Sequence, residues 1–271
     1  MQPSFTPAHR GGTGEPLVCV HGFTDTWRTW QLVLEPLQRH HDVLAVTLAG
    51  HAGGPPIAGE ASATLLAEAV ERAMDDAGFH TAHLLGNSLG GYVALQLAER
   101  GRARTVVALA PAGGWAHGDD SYVHTLEHFT TTQELVKAAV PYVDRIVATP
   151  EGRRTATQFI AVNFEHIPAE LIAHQMLGVA RCDAVQPLIE LARREGWHVE
   201  PQRIHCPLRF VWGTDDRLLP WPAAAARYRE SFPQADWLAL DGVGHCPQLD
   251  VPERTAQLVL EHTARAHQVA S

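Results

Sequence analysis

Six short apolar runs, separated by longer stretches with helical spacing, constrain this chain more than any other feature. The runs cover residues 17–20, 43–48, 82–85, 105–109, 208–212 and 237–240. They are almost continuously hydrophobic, as parallel strands covered on both faces must be; half-exposed strands alternate instead. Helical patterns occupy residues 26–38, 62–77, 88–98, 222–231 and 252–266. Ser62 suits an N-cap and Pro222 a first helical turn. This alternation predicts an α/β protein built on a doubly wound, mostly parallel sheet.

The alternation stops between Gly113 and about Pro201. Amphipathic patterns at residues 132–140, 152–163 and 168–177 fill the gap, with no clear strand and with helical breaks at Pro141, Pro150, Pro168 and Pro187. The spacing predicts a helical cap inserted into the core. Residues 1–113 then form the first part of the core, 114–200 the cap and 201–271 the second part. A chain of 271 residues that is 45% hydrophobic can bury one large core with such an insertion.

Charge narrows the partners. The net charge of −9 disfavours nucleic acid and anionic membrane surfaces. No apolar stretch is long enough to span a bilayer. The first residues lack a basic region followed by an apolar run, so no signal peptide is expected and a cytoplasmic location is implied. Cys19, Cys182, Cys206 and Cys246 are scattered, which indicates neither a zinc knuckle nor a disulfide framework. Cys19, within an apolar run, reads as core. Among 17 histidines, His124-Thr125-Leu126-Glu127-His128 matches H-x-x-E-H, a zinc-protease signature. With no third ligand in view, it reads as an exposed cap helix with histidines one turn apart. No metal and no cofactor are expected. The partner is a small-molecule substrate; homo-oligomerisation is left open.

The chemistry is concentrated in three places. Gly86-Asn87-Ser88-Leu89-Gly90 follows the third apolar run and reads as G-x-S-x-G, a serine on a sharp strand-to-helix turn. A serine hydroxyl needs a base to take its proton and an acid to orient that base. His245, in Gly242-Val243-Gly244-His245, lies between the last strand and the last helix. The acid falls in residues 213–220, which offer both Asp215 and Asp216. The order Ser, Asp, His is one of those that build this triad.

With His21-Gly22-Phe23 after the first strand, these motifs resemble the α/β-hydrolase superfamily, over nearly the whole chain outside the cap. The resemblance implies a Ser88–His245–Asp216 triad, because family acid loops read G-x-x-D-x-x-x-P; Asp215 becomes a solvated or helix-capping neighbour. Asp119 and Asp120 stand where other members carry the acid. It also implies an oxyanion hole made by the backbone N–H groups of Phe23 and Leu89, with His21 holding the loop. Trp27, Trp115 and Cys246 either line the pocket or pack in the core. Two departures stand out. Residues 47–54 replace the family's D-x-P-G-H-G-x-S, and any leading β-hairpin is reduced or irregular.

The implied activity is that of a carboxylesterase-like serine hydrolase cleaving an ester, lactone or related carbonyl bond of a small, fairly apolar substrate through an acyl-enzyme. Asn87 before the serine is similar to the elbow of C–C bond hydrolases of ring-cleavage products, but Cys246 stands where those enzymes usually carry tryptophan. A non-hydrolytic relative is the other alternative, either a ligand-binding protein or a cofactor-free oxidase or perhydrolase. Epoxide hydrolases and haloalkane dehalogenases place aspartate at the elbow, and Ser88 argues against both.

Overall fold

A computed structural model describes residues 4–57, 59, 61, 62 and 64–269. Residues 1–3, part of the stretch read for a leader, lie outside the described residues. The first half runs β1 (Ala8–Gly11), β2 (Glu15–Val20), α1 (Gln31–Gln38), β3 (His41–Val46), α2 (Leu65–Asp76), β4 (Ala82–Asn87), α3 (Leu89–Glu99) and β5 (Ala103–Leu109). Five helices follow: α4 (Ser121–Ala139), α5 (Val143–Val147), α6 (Pro150–Thr157), α7 (Ala169–Ala180) and α8 (Val185–Glu195). Alternation resumes with β6 (Leu208–Gly213), α9 (Ala226–Ser231), β7 (Asp236–Leu240), α10 (Pro247–Asp250) and α11 (Pro252–Val269). The described strands form one sheet in the order β1-β3-β2-β4-β5-β6-β7. Of these, only β1 is antiparallel, with Ala8 opposite Val46 of β3. The architecture is the doubly wound, mostly parallel α/β fold that the alternation predicts.

The continuous apolar runs resolve into two faces once the strands form. Along β2, Val18 and Val20 pack with α2 and α3 residues such as Val70, Met74, Val93 and Leu97. Their neighbours Leu17 and Cys19 pack on the opposite face with Val33, Leu37 and Val259 of α1 and α11. Side chains alternate across a strand, so a strand covered on both faces must be apolar at every position. Each fully buried aliphatic side chain contributes about 1.5–3 kcal/mol.

Several local expectations differ from the observed elements. The leading strand β1 is not legible in the sequence: Ala-His-Arg-Gly has no apolar run, and its hold on the sheet is backbone pairing with β3 rather than a hairpin with β2. The first helical stretch opens as a 3₁₀ turn at Trp27–Trp30 before α1. Likewise Ala223–Ala225 is a 3₁₀ turn before α9, with Pro222 at its cap. Ser62 does not cap α2, which starts at Leu65 after Thr64. Pro187 does not break a helix, because it is the third residue of α8. There its missing N–H is one of the donors that any helix leaves unpaired.

Candidate active site

Ser88 sits between β4 and α3 with φ 54° and ψ −118°, a strained conformation for a residue with a Cβ. The local contacts force it. A Cβ on Gly90 would overlap the carbonyls of Val20 and His21, and one on Gly86 would overlap the carbonyl of Gly90. Only glycine permits so close a strand–helix approach. The Ser88 N–H donates to Leu109 O at 2.9 Å, and the Ser88 carbonyl accepts from Ala112 N at 3.0 Å, which ties the turn to the end of β5.

Two further strand ends supply an acid and an imidazole. Asp216 follows β6, and its side chain is wholly buried. Its Oδ1 accepts the N–H groups of Leu218 and Leu219 at 2.9 and 2.8 Å. Its Oδ2 lies 2.7 Å from Nδ1 of His245, in the loop after β7. A carboxylate oxygen accepts hydrogen bonds, and Oδ2 faces Nδ1. It therefore holds the proton of His245 on Nδ1 and leaves Nε2 free to accept one. Asp215 is exposed. Asp119 turns to the N–H of Ser121 at the start of α4, and Asp120 is exposed.

The loop after β2 is pinned by His21. Leu48 N–H donates to Nε2 of His21 at 2.9 Å, so the neutral ring carries its proton on Nδ1 and donates to Gly22 O at 2.6 Å. Burial, with His51 nearby, holds the His21 pKa well below the usual histidine range. Both ring nitrogens of His21 are thus engaged, and neither is free to take a proton from Ser88. Its grip fixes the Gly22–Phe23 peptide, whose N–H points opposite to the held carbonyl in a trans bond. Leu89 N–H is the first of α3, where helices leave donors unpaired.

A family model described as the alpha/beta hydrolase family matches residues 17–258. The chain belongs to the α/β-hydrolase family. It is 32% identical over 199 residues to the epoxide hydrolase EphH of Mycobacterium tuberculosis, covering 73% of this chain and 93% of that protein. It is 31% identical over 255 residues to RutD of Azorhizobium caulinodans, named as a candidate carbamate hydrolase, covering 92% of this chain and 91% of that protein. The meta-cleavage product hydrolase of Pseudomonas fluorescens IP01 shares the fold, with a TM-score of 0.71 at 19% identity over 96% of this chain and 94% of its own.

In this α/β hydrolase, Ser88 and His245 line one cavity of about 340 Å³, roofed by residues of α4, α6 and α7. A smaller cavity of about 40 Å³ meets it at Ser88, Phe23 and Phe129. Cys246 lines the larger cavity and Trp115 the smaller. Trp27 lines neither: it stacks on His9 and donates to Thr6 at 2.8 Å. The H-x-x-E-H stretch lies on α4, where His124 is exposed and His128 lines the cavity. No group of three or more His, Cys, Asp or Glu among the described residues could hold a metal ion. Among those residues, no helix is long and apolar enough to cross a membrane.

Several positioning residues escape sequence reasoning. Asn87 donates to Leu109 O and His245 O at 3.1 and 3.0 Å, and accepts from Cys246 Sγ and Gln248 Nε2 at 3.3 and 3.1 Å. It thus ties the serine turn to the histidine loop. Asp250 is buried and receives the N–H groups of Gly244, Val162 and Asn163 at 2.5, 2.9 and 2.7 Å, plus Asn163 Nδ2 at 2.7 Å. Asp250→Ala strands these donors, each worth about 1–3 kcal/mol when buried and unpaired. The variant is expected to lose about 3 kcal/mol by urea denaturation and about tenfold in kcat. A loss under about 1 kcal/mol would remove Asp250 from this role.

Asp25, two residues past Phe23, lines the cavity and is partly exposed. Burial pushes its carboxyl up to about 6, although hydrogen bonds from Thr26 N–H, Gln175 and Thr29 pull the other way. A folded pKa above the unfolded value of 3.8 means that the contribution of Asp25 to stability is fully present below pH 3.8 and is lost as pH rises through about 6. The ceiling on that loss is about 3 kcal/mol. Asp25→Asn is therefore expected to raise the urea midpoint at pH 8, with the gain shrinking below pH 6 and gone by pH 4. An unchanged or lower midpoint at pH 8 would refute the strain assigned to the carboxylate.

Proposed function

We propose that this α/β hydrolase is a serine hydrolase that cleaves an ester, lactone or related carbonyl bond of a small, mostly apolar molecule through an acyl-enzyme. The observation that carries this reading is the His245 imidazole, held at Nδ1 by buried Asp216 and sharing a cavity wall with the strained Ser88. In the proposed reaction Ser88 Oγ attacks the carbonyl carbon while His245 Nε2 takes its proton. The N–H groups of Phe23 and Leu89 receive the developing oxyanion, which fixed backbone donors stabilise with little reorganisation. The imidazolium then protonates the leaving group, and water activated by the same nitrogen releases the acid.

The two cavities meeting at Ser88 favour a substrate with one large apolar arm and one small one. A carbamate falls within the same carbonyl chemistry. Epoxide opening, the activity in the name of the EphH relative, is not carried over, because Ser88 stands where a carboxylate would be needed. A fluorophosphonate probe with peptide mass spectrometry tests the assignment. Label is expected on Ser88 of the folded protein, and its absence would overturn the reading.

A further inference from the structure

The smaller cavity beside Ser88 does not end in solid core. Beyond it lies a further cavity, also of about 40 Å³, lined by Leu66 of α2, Tyr92 of α3 and Leu191 of α8. The two cavities share four lining residues: Leu89, Leu188, Ala192 and Trp197. Leu188 and Ala192 are buried and lie one turn apart on the same side of α8. The Trp197 ring stands between one aromatic ring of each compartment. Its centroid is 6.3 Å from that of Trp115, which lines the inner cavity, and 5.0 Å from that of Tyr92, which lines the outer. A single layer of side chains therefore divides the two spaces.

The position of His245 decides which arm of a substrate meets this layer. In acyl transfer the imidazolium protonates the leaving group, and His245 lines the larger cavity but not the smaller. The leaving group thus belongs in the larger cavity, and the acyl arm enters the smaller one past Leu89. One water-sized atom needs about 10–15 Å³ of such space, so the inner cavity of about 40 Å³ takes about three carbons beyond the carbonyl. The outer compartment has room for about three more.

We propose that Leu188, Ala192 and Trp197 are specificity-determining residues: their side chains form a partition that limits the acyl arm to about four carbons, carbonyl included. The closed compartment behind them is the space into which a longer chain extends once the partition is cut back. The proposal rests on the serine-hydrolase reading and gives that reaction its acyl preference.

A series of p-nitrophenyl esters from acetate to octanoate varies this arm alone. Wild type is expected to favour butanoate over hexanoate by about tenfold or more in kcat/KM, since one methylene changes such discrimination by roughly 10–200-fold. Leu188→Ala removes the branched end of one wall residue and is expected to raise the hexanoate-to-butanoate ratio by about tenfold or more. Trp197→Leu is expected to move the ratio the same way. It keeps the backbone carbonyl that accepts from Arg227 Nη2 at 2.8 Å, so it serves if Leu188→Ala misfolds. Ala192→Leu narrows the inner cavity and is expected to shift the preference toward acetate. A ratio between two substrates does not depend on how much of the sample is folded, so a merely structural role leaves it unmoved. A wild-type preference for hexanoate or longer, or a ratio unchanged in both Leu188→Ala and Trp197→Leu, would overturn the partition. Fluorophosphonate labelling of the same samples separates the two failures. Label on Ser88 with an unmoved ratio removes the partition alone, whereas neither label nor turnover removes the hydrolase reading with it.

Discussion

Ser88→Ala is expected to lower kcat by about 10⁵ and to leave the protein folded, because the hydroxyl is the only group removed. Under the proposed mechanism, what remains is the contribution of the backbone donors of Phe23 and Leu89 and of binding, as disabled triads in general retain. The backbone makes a second expectation sharper. At φ 54° and ψ −118°, any residue with a Cβ carries strain of about 1–3 kcal/mol. Alanine keeps that strain and glycine releases it. Ser88→Gly is therefore expected to unfold at a higher urea concentration than Ser88→Ala, by about 1 kcal/mol, while being equally inactive. Activity of Ser88→Ala within tenfold of wild type would dismiss Ser88 as the nucleophile. Equal stability of the two variants would show that the turn stores no strain.

The serine turn is legible in the sequence because its cause is local. Gly86 and Gly90 are needed where β4 and α3 approach within a few residues of each other, and the apolar run before them is itself a strand signal. The parallel strands are legible for a similar reason: burial on both faces leaves a continuous hydrophobic run. β1 leaves no such trace, since an edge strand held by backbone pairing needs no apolar side chains. The pocket is least legible. Trp27 follows the loop after β2 in sequence, but its indole turns away toward His9 and Thr6. Asp25 with Gln175, and Asp250 with Asn163, are partners 150 and 87 residues apart. No spacing within a single segment encodes such pairs. They arise only when helices inserted between β5 and β6 fold back over the sheet.

The loop after β6 joins both kinds of information, and Asp216→Asn tests the role proposed for it. The residues alone offer Asp215 and Asp216, and the family pattern selects the second. In the folded loop Asp215 is exposed, while Asp216 turns under the N–H groups of Leu218 and Leu219 and meets His245. An asparagine keeps this shape, because its carbonyl oxygen still accepts from Leu218 and Leu219. Its NH₂ then faces Nδ1 of His245 and donates, which forces the ring proton onto Nε2. That is the wrong tautomer for a base at Ser88, since Nε2 can no longer accept. The same swap in the triad of a serine protease lowers kcat about 10⁴-fold. Asp216→Asn is expected to fall by roughly 10³ to 10⁴ in kcat, with KM nearly unchanged and with full stability. Asp215→Asn is expected to stay within twofold of wild type. Equal losses from the two substitutions would mean that the effect is one of loop charge and not of tautomer. A large loss from Asp215→Asn alone would move the acid by one residue, and with it the register of the whole turn after β6.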